Sequence, residues 1–324
     1  MARPTTTPEA PARVEPASRR SASPARLSPG MACDTAFRIV ARRHLNAVMV
    51  QHEGTCSGDP DALHQIRIAL THLRTAIRFF SPMVDDTVRP VVWTELKWLH
   101  RQLGMVRDLD VAIERLVAAS GEELALIAQL ESWQEKRAES HRLLARALRS
   151  ARYRRLIEQT SGWIESGPWS TRRAKEAIRL RRAPLAEHAA QQLAEWERIL
   201  LKKSRKLDEL GVTKRHRLRL RNKRLTYAIE SLEDLFVDES LEKQKAVLKQ
   251  LRRAQRSLGQ LNDDARGRAL ANALNGEGSA LSLHFLGRKR EKKLLQTAAT
   301  AYRKLDKARP FGASGLTLGA EPAD

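Results

Sequence analysis

The sequence predicts an all-α protein: two pseudo-symmetric helical bundles around a basic central channel. Three observations carry this expectation. Apolar residues recur at spacings of three and four through almost the whole body, with little of the strict alternation that marks strands. Glycine (16) and proline (13) are few for 324 residues, unlike a sandwich or a doubly wound sheet. The body also repeats itself. HQIRIALTHLRTAIRFF from His64 parallels HRLRLRNKRLTYAIESL from His216, and LKWLHRQLGMVRD from Leu96 parallels LRRAQRSLGQLND from Leu251. The two offsets, 152 and 155, keep order and spacing, so two halves are expected to pack about an approximate two-fold axis.

In chain order, residues 1–32 read as a disordered tail, with six prolines among Ser, Thr, Ala and Arg. Residues 33–309 form a single domain, the first half about 33–182 and the second about 183–309, and residues 310–324 form a second short tail. Helix breaks are predicted at Gly54–Pro60, Ser81–Pro90, Ser120–Gly121, Ser166–Pro168, Ala183–Pro184, Gly211–Thr213, Asp238–Ser240 and Asn275–Ser279.

Each long helix divides into a basic and an apolar face. At about 100° per residue, His64, Arg67, Thr71, Arg74 and Arg78 share an arc of about 80°, with Ile66, Leu70, Leu73, Ile77 and Phe80 on the other side. The second His helix sets His216, Arg219, Lys223 and Thr226 against Leu218, Leu225, Ile229 and Leu232, with Arg224 flanking. Three further stripes are Lys245, Lys249, Arg252 and Arg256; Arg142, Arg146 and Arg149 over Leu144, Leu148 and Ala151; and Lys289, Lys293, Arg303 and Lys307. An ordinary solvated face mixes Lys with Glu, because like charges one turn apart repel. These stripes read as cations alone, which calls for an anion to offset them. Lys plus Arg is 59 against 38 Asp plus Glu, a formal charge of +21, which fits a polyanionic partner. Arginine forks and mobile lysines suit phosphate oxygens, and histidine adds a hydrogen bond or a charge. His64 and His216 have a blander reading, as residues that cap or satisfy the bundle.

Other chemistries are weaker. Two cysteines, no membrane-length apolar run and no apolar leader in the first thirty residues fit a reducing, cytoplasmic setting without a membrane partner. The acids of Arg107–Asp110 and Asn262–Asp264 could hold magnesium, but beside arginines they read as ion pairs that fix helix ends, and no nucleophile–base set accompanies them. Neither catalysis nor a cofactor is expected. His52 and Cys56, four apart, could join Cys33 or His44 at zinc, but no Cys-x-x-Cys supports this and no metal is expected. Nucleic acid is the main rival ligand. Aromatic residues are scarce, and the six tryptophans (Trp93, Trp98, Trp133, Trp163, Trp169, Trp196) read as structural, so nucleic acid is expected to compete without specificity. A scaffold that recruits other proteins through the tail is a third reading.

HQIRIALTHLRTAIRFF, LGMVRDLDVAIERL and HRLRLRNKRLTYAIESLEDLF resemble the signature segments of the CHAD family, the conserved histidine α-helical domain, over about residues 35–308. The resemblance implies an all-helical fold around a basic pore, binding of inorganic polyphosphate and association with polyphosphate granules and their proteins. It carries basic positions onto His64, Arg67, Arg74, Arg78, His216, Arg219, Lys223 and Arg224, and onto Lys97, Arg101, Arg252 and Arg256. Lys249, Arg142, Arg146, Lys293 and Arg303 join them from the stripes. Thr71 and His72 stand where the family usually has two arginines, and Thr226 where one is common, so the first half is expected to bind less tightly. The Glu-x-Glu-x-Lys mark of the CYTH domain often fused to this family is missing: Glu195-Trp-Glu197 continues into Arg198 and Ile199.

Overall fold

The computed structural model describes residues 25–119, 124–274, 286–308 and 311. Among them the elements are helices: α1 (Cys33–Val50), α2 (His52–Cys56), α3 (Pro60–Phe79), α4 (Arg89–Ala119), α5 (Leu124–Arg149), α6 (Ala151–Ser166), α7 (Lys175–Arg182), α8 (Leu185–Ser204), α9 (Val212–Ser231), α10 (Asp238–Leu274) and α11 (Arg288–Ala308). Single 3-10 turns follow α6, α8 and α9.

Local chemistry sets the helices that matter most. The chain leaves α2 through Gly58 at φ 87°, a left-handed conformation that glycine adopts without strain. Asp59 then caps α3, its side chain accepting from the Asp61 N–H at 2.8 Å, and Pro60 occupies the first turn. Asp86 does the same before α4, accepting from the backbone of Val88 and Arg89 at 2.9 and 2.7 Å. The same carboxylate takes the Trp163 indole N–H at 3.0 Å and the Trp169 N–H at 2.9 Å, which ties the start of α4 to the turn after α6.

In the first half α3 packs on α1 and α4, with α6 against α1 and α4; in the second, α9 packs on α8 and α10, and α10 on α11. The halves meet where α3 lies on α9. Phe37 anchors the first core edge-on to Phe80, Trp163 and Trp169, with centroids 5.3–5.7 Å apart. In the second core Asn222 is fully buried and satisfied. Its amide donates to the Leu251 carbonyl at 3.0 Å and its oxygen accepts from Tyr302 Oη at 3.2 Å, pinning α9, α10 and α11 together.

Several expectations need correction. The tail predicted to run to residue 32 is anchored earlier. Leu27 is buried, its N–H donates to Asp234 at 3.1 Å, and the Met31 carbonyl accepts from Leu185 N–H at 2.8 Å. Phe311, assigned to the second tail, is buried. The α5 stripe does not continue to Ala151, because Ser150 caps α6 by accepting from the Tyr153 N–H at 3.3 Å. Asp238, placed in a break, begins α10 with φ 49°. The remaining parts of the two tails, Ser120–Gly121 and Asn275–Ser279 lie outside the described residues.

Candidate functional site: a cation cluster on the α3–α9 seam

Helix α3 brings His64, Arg67, Arg74 and Arg78 to the seam, and α9 brings Arg219, Lys223 and Arg224. The two sets share one electrostatic neighbourhood. Burial, then Arg107, Arg67 and Lys223, hold His64 below its ordinary pKa. Burial, then Arg219 and Arg67, push Lys223 down to about 8, against the pull of Asp263. Burial, then Arg78 and Arg224, push Arg74 down to about 10, and burial with Arg78 and Arg221 does the same to Arg224. Each direction is that of a cation losing water among cations. Guanidinium stays charged at neutral pH, so this repulsion is held in the fold rather than relieved by deprotonation.

Acids offset it at Arg67, where Asp108 pulls the other way, and at Lys223, where Asp263 does, but not at Arg74, Arg78 or Arg224. Among the described residues Arg74, Arg78 and Arg224 form no ion pair, whereas Arg67 donates Nη1 to the Leu103 carbonyl at 2.8 Å. Arg74 and Arg78 lie over the Trp93 ring, 4.9 and 4.7 Å from its centroid, with Lys97 at 6.0 Å. Arg74 Nε, Arg219 Nε and His100 Nδ1 are buried without a hydrogen-bond partner among the described residues.

The repeated glycines explain how the arginines enter. A Cβ on Gly104 would lie 3.5 Å from Arg67 Nη1, and one on Gly259 would lie 3.8 Å from Arg219 Nε. In both halves the arginine of His-x-x-Arg lies over the Leu-Gly step of the following helix. His216 is more tightly held than His64: its Nδ1 is 2.6 Å from Asn262 Oδ1, to which it donates.

The structure divides the remaining predicted residues. Lys97 and Arg101 are exposed on α4, and Arg256 on α10. Arg252 is also exposed but pairs with Glu230 at 2.8 Å. Arg142 and Arg146 sit apart, on a cleft between α5 and α2, and pair with Glu139 at 2.7 and 3.3 Å. Lys245 pairs with Glu242 at 2.7 Å, and Arg303 donates to Thr300 at 3.1 Å. Lys249 and Lys293 are exposed. The outer stripes are therefore not cations alone: Glu139 and Glu242 stand on the same helix faces three residues before Arg142 and Lys245, and Glu230 reaches Arg252 from α9. Thr226 is not on the basic face at all: it is buried, and its hydroxyl donates to the Asn222 carbonyl at 3.0 Å. Lys223 of the second half stands among the cations of the first.

Two residues of the cluster escaped the sequence reading. Trp93, partly buried against the core, also carries two guanidinium groups. His100 is half-buried with its Nδ1 enclosed, and desolvation with Arg74, Arg67 and Lys223 pushes it down to about 4. A signal existed: the offset of 155 that aligns Gly104 with Gly259 also aligns His100 with Gln255, whose Oε1 is likewise buried and unpartnered. The acids of Arg107–Asp110 do form ion pairs, over longer range than expected. Asp108 pairs with Arg266 of α10 at 2.9 Å, joining the halves, while Asp110 accepts from Arg137 at 2.7 Å and His141 at 3.0 Å.

The CHAD domain family model matches residues 39–272. The crystal structure of the CHAD domain from the plant Ricinus communis superposes with a TM-score of 0.67 at 23% identity, covering 90% of this chain and 92% of that one. No curated protein matches the chain. No helix among the described residues is long and apolar enough to cross a membrane. With the family match spanning well over half of the sequence and the overall fold superposing on the plant domain, the chain belongs to the CHAD domain family.

Proposed function

We propose that the protein binds linear inorganic polyphosphate, without catalysis, in a basic channel along the α3–α9 seam. The observation that carries this reading is the set of half-buried cations drawn from both halves, of which Arg74, Arg78 and Arg224 have no carboxylate partner among the described residues. A chain of phosphates offers closely spaced oxygens to successive guanidinium and ammonium groups. It would also give the buried Arg74 and Arg219 Nε–H groups the acceptors they lack. Trp93 speaks against a nucleic-acid groove, because its face carries arginines and is not open to a base. The paired state of Asp108 and Asp110 favours binding over metal-assisted hydrolysis. Association with polyphosphate granules in the cytoplasm follows from this reading.

The test is a titration with long-chain polyphosphate at near-physiological salt, with single-stranded RNA and duplex DNA as competitors. Binding should fall steeply with added salt and survive nucleic acid in excess. Equal competition per phosphate would reduce the seam to a generic anion surface.

A further inference from the structure

The cleft between α2 and α5 stands apart from the seam and holds different chemistry. One nitrogen of His52, one carboxylate oxygen of Glu53 and the Cys56 sulfur lie within 4.8 Å of one another. His52 and Cys56 are one helical turn apart, with Nε2 3.8 Å from Sγ. The His52 ring is fixed on both sides: it stacks on Tyr153 at 4.9 Å, and Nε2 lies 3.2 Å from the Leu148 carbonyl.

His141 lines the same cleft as Cys56. Its Nε2 lies 3.0 Å from Oδ1 of Asp110, a carboxylate that is 1% exposed. Its Nδ1 faces Gly58, 3.8 Å from where a Cβ would stand. A carboxylate that holds the proton on one imidazole nitrogen leaves the other as a lone-pair donor, the usual outer support of a metal-bound histidine. The zinc partners suggested by sequence, Cys33 and His44, are elsewhere. Cys33 is buried at the start of α1, and His44 bonds Ser231 at 2.9 Å.

We propose that His52, Glu53 and Cys56 of α2, with His141 of α5 as fourth donor, bind a divalent transition ion of the zinc class and so staple α2 to α5. Thiolate and imidazole donors favour such an ion over magnesium or calcium. Donors around tetrahedral zinc stand about 3.3–3.8 Å apart, given bonds of about 2.0–2.3 Å. With Nε2–H donated to the Leu148 carbonyl, the nitrogen free to bind the ion is Nδ1, 3.9 Å from a Glu53 carboxylate oxygen, and the exposed Glu53 closes the rest. The nearby cations are largely taken up: Glu139 holds Arg142 and Arg146, and Asp110 holds Arg137. Arg149, beside Cys56 and 3.7 Å from Glu53, is 60% exposed and swings outward when the ion enters.

The test is a cobalt(II) titration of the reduced, metal-free full chain, read by thiolate-to-cobalt charge-transfer absorption, with zinc as displacer. The expected result is one ion per chain, a band that Cys56→Ser abolishes and Cys33→Ser keeps, and at least ten-fold weaker binding in His52→Ala, Glu53→Gln and His141→Ala. Far-ultraviolet circular dichroism selects the variants that keep the wild-type helix content. No band in the wild type, a band that survives Cys56→Ser, or wild-type affinity in a folded His52→Ala or His141→Ala chain would overturn the site.

Discussion

The basic faces on the seam and on the outer helices look alike in sequence and differ in space. On α5 and α10 the cations have company: Arg142 and Arg146 share Glu139, Lys245 has Glu242, and Arg252 has Glu230. These are exposed pairs, worth little to stability and easily screened by salt. On α3 and α9 the cations are half-buried, stacked on Trp93 or pressed against one another, and their pKa values fall. Charge count alone does not mark a polyanion site. On the proposed reading, half-buried charge without a carboxylate partner does, because the fold then carries a cost that a polyanion would remove.

The contrast can be broken or sharpened by experiment, and the largest effect expected is with acid. Burial pushes His44 down to about 3 and His72 and His100 down to about 4. His44 and His72 stack on each other at 4.8 Å, and His72 also meets Tyr227 at 4.3 Å and Glu230 at 3.7 Å. The unfolded chain protonates near pH 6.5 and the folded one near 4, so the unfolded state holds more protons in that window. Stability is therefore full above about pH 6.5 and falls toward pH 4, by roughly 2 kcal/mol or more for each buried histidine. Urea melts across this range should show the slope, and His72→Gln should flatten it. A pH-independent midpoint would remove these histidines from the buried seam.

Next in size is a matched pair of single substitutions. Lys223→Met removes a buried ammonium facing Arg219 and Arg67, and should stabilise the free protein by roughly 1 kcal/mol while weakening polyphosphate binding about ten-fold. Arg252→Met removes an exposed, paired cation and should change stability by less than about 0.5 kcal/mol. Thermal melts with and without polyphosphate separate the two.

A smaller signal is proton uptake. An anion beside Lys223 raises its pKa from about 8, so binding near pH 8 should draw protons from the buffer. Calorimetry in two buffers of different ionisation enthalpy reads this directly, and Lys223→Met should cancel most of it. The smallest effect concerns the glycines under the arginines. Gly259→Ala has ordinary contact distance to Arg219 and should gain up to about 1 kcal/mol of helix stability, with binding unchanged. The same gain should follow in Gly104→Ala, with a slight loss of affinity, because Arg67 is closer.

The all-helical class, most helix ends and the basic α3 and α9 faces were legible in the sequence, because heptad-like spacing and capping residues are local signals. What stands across from a face is not local. Glu230 reaching Arg252 and Asp108 reaching Arg266 depend on packing between distant segments, whereas Glu139 and Glu242, three residues before Arg142 and Lys245 on the same helices, were local signals that the all-cation reading of those stripes passed over. Thr226 sat within the basic arc by angle, yet the turn toward α10 buries it beside Asn222. Trp93 looked apolar from its neighbours, and only the fold lays Arg74 and Arg78 over its ring.

The most direct test removes equal charge from the two regions. One variant carries Arg74→Gln, Arg78→Gln, Lys223→Gln and Arg224→Gln; the other carries Arg142→Gln, Arg146→Gln, Arg252→Gln and Arg303→Gln. Polyphosphate affinity at fixed salt should fall by about 100-fold or more in the first and by less than about three-fold in the second. Equal losses in the two would contradict the account, leaving net charge rather than the buried seam as the source of binding.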